Sequence, residues 1–339
     1  GKSSISIQVN PMPIKQTWPQ DRPRLSIILG SADGHCPFAG LPQEPQAPDP
    51  RHNLANERKF GLSSPYQSIQ PGAQLDRDRF IEQLRDIVGE RNVVFHPEDL
   101  LVFEYDASID RSLPEAVVLP ADTSEVSRVM ALAYREEVTV AGRGSGTGLS
   151  GGAIAAPGGI QVSFTRMNRI LDVSTQDRTA AVEPGVVNLD LDNYVRRLGL
   201  RYAPDPSSQR ACSLGGNIAE NAGGPHCLAY GTTTNHVLGM EVVLEDGSVV
   251  NLGSMGRDTP GYDLRGVFTG SEGTFGLATK IAVRLLPVPE AVKTFLGIFP
   301  DVESACTAVS AVIGHGIVPA ALEMIDALSI QAVQNVSDA

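Results

Sequence analysis

Apolar positions Phe80, Ile81, Leu84 and Ile87/Val88 recur at helical spacing, predicting a helix over 76–88. An apolar run at 116–119, stopped by Pro120, predicts a strand. Asp122-Thr123-Ser124-Glu125 then supplies the cap of a helix reaching about Arg135, and 138–141 gives a second strand. Further strands are predicted at 160–164, 170–173 and 179–182, with a helix over about 188–198. The runs 237–244 and 248–252 flank Glu245-Asp246-Gly247 and predict a hairpin, and 278–286 reads as another strand. Pro287 and Pro289 mark a boundary, followed by a strand (294–299), a helix (about 302–313), a strand near 322–324 and a helix from Asp326. Residues 1–74 hold 11 of the 24 prolines and show no sustained period, so they predict a disordered leader. Lys2 and Lys15 without an acid in the first 20 residues leave a targeting extension as the alternative.

This pattern divides the 339 residues into a leader (1–74), a main domain (75–289) and the start of another (290–339). With 42% hydrophobic and 19% charged residues, most of the chain can bury a core. A net charge of −12 gives no footprint for nucleic acid and repels anionic lipid. No apolar run approaches the roughly 20 residues of a membrane span, so no transmembrane segment is expected. Cys36, Cys212, Cys227 and Cys306 form no CxxC pair and no metal spacing; reduced thiols and a cytoplasmic protein, at most peripheral at a membrane, are expected. No two of the six histidines have metal-ligand spacing, and no metal site is predicted. His35, His52, His96, His236 and His315 read as structural or solvated, whereas His226, after Gly223-Gly224-Pro225, is equally placed to touch a ligand.

The 34 glycines are clustered, and the clusters carry the chemistry. Arg143-Gly144-Ser145-Gly146-Thr147-Gly148-Leu149-Ser150-Gly151-Gly152 follows a predicted strand. Small residues let successive N–H groups point into one concavity that suits phosphate oxygens, with Arg143 adding charge. Gly146-x-Gly148-x-x-Gly151, with Asp172 downstream, matches a Rossmann fingerprint, but Pro157-Gly158-Gly159 leaves no room for the helix which that motif opens. No Gly-Lys-Ser/Thr follows, which argues against a P-loop. A second cluster spans 204–224 and a third 270–276. Three such segments suggest one extended ligand lying along backbone, and a dinucleotide has that shape.

RGSGTGLSGGA (143–153), YAPDPSSQ (202–209), CSLGGNIAENAGGPHCLAYG (212–231), FTGSEGTFG (268–276) and ALEMIDALSI (321–330) together resemble the FAD-linked D-2-hydroxy-acid dehydrogenases of the vanillyl-alcohol-oxidase superfamily, and within them the glycolate oxidase D subunits. The resemblance implies an α+β fold, with a two-subdomain PCMH-type FAD-binding domain followed by the beginning of a ferredoxin-like cap domain. It implies FAD pyrophosphate on Arg143, Gly144, Ser145, Gly146, Thr147, Gly148 and Leu149. Pro204, Asp205, Ser213, Leu214, Gly215, Gly216, Asn217 and Ala219 fall along the flavin and ribityl. Gly223, Tyr230, Gly231, Val237 and Leu238 run toward the adenine, and Glu272, Gly273 and Ile281 close the adenosine side. Thr147 stands where some members carry a flavin-linking histidine, so non-covalent FAD is expected. The implied reaction is oxidation of glycolate or D-lactate to the 2-oxo acid, with electrons passed on to a quinone-type acceptor or an iron–sulfur electron-transfer subunit. The carboxylate clamp and base are expected beyond residue 339, so no catalytic residue is assigned and the chain alone is expected to be inactive. A flavin-binding subunit without independent activity, an ether-lipid synthase and an aryl-alcohol oxidase are the alternatives.

Overall fold

The computed structural model describes residues 3–9, 76–254 and 261–334. The chain opens with strand β1 (Ser3–Val9). Then come α1 (Arg77–Val88), β2 (Val93–Val94), α2 (Pro97–Leu100), β3 (Ala116–Val118), α3 (Thr123–Arg135), β4 (Val140–Arg143) and β5 (Ile160–Ser163). Asp76 caps α1 by accepting the Arg79 N–H at 3.2 Å, and Asp122 caps α3 by accepting that of Glu125 at 2.9 Å. β2 to β5 form a sheet in the order β2-β3-β5-β4, with β3, β5 and β4 parallel. The apolar faces of α1 and α3 close over it, burying Phe80, Leu84, Val118, Val129 and Ile160 in one core.

The second half contains β6 (Ile170–Ser174), β7 (Thr179–Val182), α4 (Asn188–Arg196), β8 (Leu200–Arg201), α5 (Leu214–Ala219), α6 (Cys227–Tyr230), β9 (Val237–Val243), β10 (Val249–Gly253), α7 (Leu264–Phe268), β11 (Leu277–Arg284) and β12 (Leu286–Pro287). Five of these strands form an antiparallel sheet, β10-β9-β11-β7-β6, and β12 pairs with β8. Leu191, Leu214, Ile218, Met240, Ile281 and Val283 make a second core beneath α4 and α5. The two cores meet at a seam. Val243 and Leu277 of the second sheet pack into the first core, the Thr123 hydroxyl donates to Glu241 at 2.5 Å, and the Ser127 hydroxyl donates to the Gly247 carbonyl at 2.6 Å.

After the prolines come β13 (Lys293–Phe299), α8 (Val302–Gly314), β14 (Ala321–Ile325) and α9 (Ala327–Gln334). Here the structure differs from the pattern. Where the spacing predicts an unstructured leader, β1 is the central strand of a β13-β1-β14 sheet, antiparallel to both neighbours. Its residues alternate Ser4, Ser6, Gln8 with Ile5, Ile7, Val9, a period of two that the proline-rich stretch after it obscures. Residues 10–75, including His35, Cys36 and His52, lie outside the described residues. α5, α6 and α7 arise inside stretches whose glycines suggest only loop, because serine and aspartate caps at Ser213 and Asp263 start the turns of α5 and α7. Residues 144–159 contain no helix, and Asp172 sits on β6 of the other sheet, so the Rossmann geometry is absent there.

Candidate functional site

The parallel strands β4 and β5 are joined by residues 144–159, and this loop is held from behind. Arg143, 7% exposed, donates to the carbonyls of Phe103 (3.4 Å) and Ala153 (3.3 Å), and its guanidinium stacks over the Phe103 ring. Gln161, fully buried on β5, donates to the same two carbonyls at 2.8 and 2.9 Å. The Ala107 N–H donates to the Gly148 carbonyl at 3.1 Å. Arg143 is therefore a brace beneath the loop rather than a charge aimed into the concavity. Burial lowers its pKa, against the opposing field of Asp106. Gly146 has φ +66°, and a Cβ there would lie 2.6 Å from the Arg143 guanidinium, so only glycine fits over the brace.

α5 is the hub that gathers the other two segments. Ser213 caps it, and the Gly144 backbone lies so close that a Cβ would overlap the Ser213 hydroxyl. Behind α5, the Gly215 N–H donates to the Pro184 carbonyl at 2.8 Å and the Leu214 N–H to that of Val186 at 2.9 Å. In front, the Gly270 and Glu272 N–H groups donate to the carbonyls of Ile218 and Ala219, both at 2.8 Å. The segment 204–212 is fixed on α4: Asn188 bonds the Pro204 carbonyl at 3.0 Å and the Cys212 carbonyl, through its own N–H, also at 3.0 Å.

These contacts leave an open cleft of about 160 Å³ along the seam between the two cores. Gly144, Ser145, Gly146, Thr147 and Gly148 line it, opposite Ser213, Gly215, Gly216, Asn217 and Ala219, with Glu272 and Gly273 at one side. A Cβ at Gly148 or Gly273 would meet nothing within 4 Å, and at Gly216 only the Ser213 hydroxyl at 3.4 Å. The bare backbone at these positions therefore faces open space.

Other predicted residues sit elsewhere. Leu149 is 78% exposed, and Leu214 is fully buried in the second core. Val237, Leu238 and Ile281 also point into the interior, leaving only their backbone to meet a ligand. Gly223 packs against Cys227. The Tyr230 ring lies under the Arg201 guanidinium, and Gly231, at φ +79°, lies against Asn235. Pro204 is buried. Asp205 pairs with His226 on a separate cleft.

Several cleft residues carry no glycine signal in the sequence. Phe164, Phe268, Leu277 and Ala278 form apolar wall, and Ser208 and Cys212 form the end nearest the 204–212 segment. Burial pushes the Cys212 thiol up, so it is a neutral hydrogen-bonding group rather than a thiolate. Glu220 also lines the cleft, and its pKa is raised by burial first, then by Glu272 and Asp106. Among the described residues no three His, Cys, Asp or Glu side chains cluster to hold a metal, and no helix is long and apolar enough to cross a membrane.

The family described as FAD binding domain matches residues 114–253, and that described as FAD linked oxidases, C-terminal domain, matches residues 288–339. The chain is 43% identical over 277 residues to glycolate oxidase subunit GlcD of Escherichia coli strain K12, covering 81% of this chain and 56% of that protein. It is 40% identical to the Bacillus subtilis strain 168 subunit of the same name, covering 75% and 54%. It is 32% identical to D-lactate dehydrogenase of Anaerostipes hadrus, covering 77% and 54%. The chain thus spans about half the length of the curated relatives it matches. Among solved structures, an alkyldihydroxyacetonephosphate synthase superposes with a TM-score of 0.58 at 22% identity, over 66% of this chain and 42% of that one. p-Cresol methylhydroxylase superposes with a TM-score of 0.54 at 22% identity, over 63% and 44%. Both share the α+β fold.

Proposed function

Because the chain belongs to the FAD-linked oxidases, we propose that it is the flavin-holding part of an enzyme that oxidises a small 2-hydroxy acid, glycolate or D-lactate, to the 2-oxo acid. The observation that carries this reading is the convergence of three glycine segments on one seam cleft, with Gly148, Gly216 and Gly273 open to it. The 144–148 loop offers consecutive backbone N–H groups to the pyrophosphate. Gly215, Gly216 and Asn217 of α5 and the Ser208–Cys212 end take the flavin side, and Glu272-Gly273 the adenosine side. When bound, FAD supplies the two-electron acceptor for the substrate's α-hydrogen.

Thr147 lines the cleft where a covalent link would need a nucleophilic ring nitrogen, so FAD is held without a bond to protein. The free cysteines Cys212, Cys227 and Cys306 suit a reducing, cytoplasmic setting. The likeness to named oxidase subunits supports an electron-accepting partner, for which an iron–sulfur subunit is the candidate.

The test is titration of the purified chain with FAD, followed by acid precipitation. Saturable binding and full release of the flavin into the supernatant are expected. Flavin retained in the pellet would falsify the non-covalent reading, and binding of NAD in place of FAD overturns the assignment itself. Dye reduction by glycolate and by D-lactate then identifies the substrate.

A further inference from the structure

A second cleft, of about 320 Å³, lies on the far side of the segment 204–212. That segment walls both cavities: Ser208 and Cys212 face the first, Asp205 and Gln209 the second. Arg201, from β8, lines the second cleft and is only 9% exposed. Its guanidinium stacks on Tyr230, yet it makes no hydrogen bond or ion pair among the described residues, and its buried Nε has no partner.

A buried guanidinium without a counter-charge is costly, because burial strips hydration from Nε and the Tyr230 ring face replaces only part of it. The carboxylates of the cleft are already engaged. Asp192 accepts from Arg196 at 2.6 Å and from the Tyr202 N–H at 3.0 Å. Asp205 is paired with the His226 ring. Arg201 is thus the cation of this cleft left for an incoming anion, and its forked donors match a carboxylate.

We propose that Arg201 is the carboxylate-binding residue of a second subsite, which takes a small 2-hydroxy or 2-oxo acid next to the flavin cleft. The inference rests on the functional reading above, and it places a substrate-holding group inside this chain. The occupant is a small acid because the cleft adjoins the flavin site through one shared segment and sets Gln209 and His226 beside Arg201, with Val288, Pro289 and Val292 as an apolar wall.

The experiment is isothermal titration of the full chain, with and without FAD, against glycolate, D-lactate and glyoxylate, with lactamide as the uncharged control. Binding of the acids and none of lactamide is expected. Arg201→Gln should weaken the acids about tenfold or more while leaving FAD affinity unchanged. Failure of the unmodified chain to bind any of the acids, or equal binding of acid and amide, overturns the proposal without need of a variant. Equal acid affinity in a folded Arg201→Gln chain does the same. FAD binding without acid binding sinks this inference alone, whereas loss of both sinks the functional reading on which it rests.

Discussion

Single positions decide whether the seam cleft can hold a ligand, and the glycines do not all do so for the same reason. Gly216 lies in α5 with ordinary helical backbone, and its missing side chain opens onto the cleft. Gly216→Val should therefore abolish FAD binding while thermal unfolding of the apo chain stays within about 1 kcal/mol of the parent. Retained flavin at unchanged affinity would show that the cleft is not the site. Gly146→Val is a poorer probe, since its positive φ and the Arg143 brace make it lose stability as well. Glu220 gives the pH dependence. Its folded pKa is raised above the ordinary carboxylate value, so its contribution to stability is complete at low pH and lost as pH rises through that raised value. The anionic form also faces the cleft that must accept a pyrophosphate. FAD affinity should rise as pH falls through this window. Glu220→Gln should flatten the profile and stabilise the apo chain at pH 7, measured by flavin fluorescence titration and thermal melts. A profile unchanged by the substitution counts against the assignment.

At the scale of elements, the glycine loop is usable because β4 and β5 grip it. The Phe103 and Ala153 carbonyls each receive a short bond from Gln161 and a longer one from Arg143. Gln161→Leu keeps the volume but removes the two short donors, leaving buried carbonyls poorly satisfied. A loss of about 1–3 kcal/mol in denaturant unfolding is expected, with weaker FAD binding although Gln161 does not line the cleft. Undiminished stability would mean that Arg143 alone holds the loop. α5 plays the matching part opposite, tied to 184–186 behind and to 270–272 in front, so that six residues of helix place two of the three glycine segments.

Across the whole molecule, the seam cleft draws all its lining from residues 142–278, whereas the second cleft also needs Val288, Pro289 and Val292. The β13-β1-β14 sheet with α8 has its own small core around Ala305, Phe299, Val309 and Leu322, and leaves Phe295, Leu296 and Met324 exposed. A chain ended after Pro287 should keep FAD affinity within about threefold and lose carboxylate binding at Arg201. Flavin titration and calorimetry of the two forms would check this. Loss of flavin with the last 52 residues would mean that the third sheet buttresses the seam.

The sequence by itself determined most of the elements and the identity of the cleft-forming segments, because helix and strand periods, caps at Asp76 and Asp122, and long runs of glycine are local signals. It missed β1, whose pairing partners are about 290 and 320 residues away, so that its short alternation meant nothing until a sheet closed around it. Tertiary structure alone decided which side of the loop Arg143 occupies, since the carbonyls that draw it under come from residues 103 and 153. It also decided the fate of Arg201. In sequence this is one arginine before Tyr202 on a two-residue strand. Its burial against Tyr230, beside carboxylates already paired to other groups, exists only when β8, α4 and the 204–230 stretch are folded together.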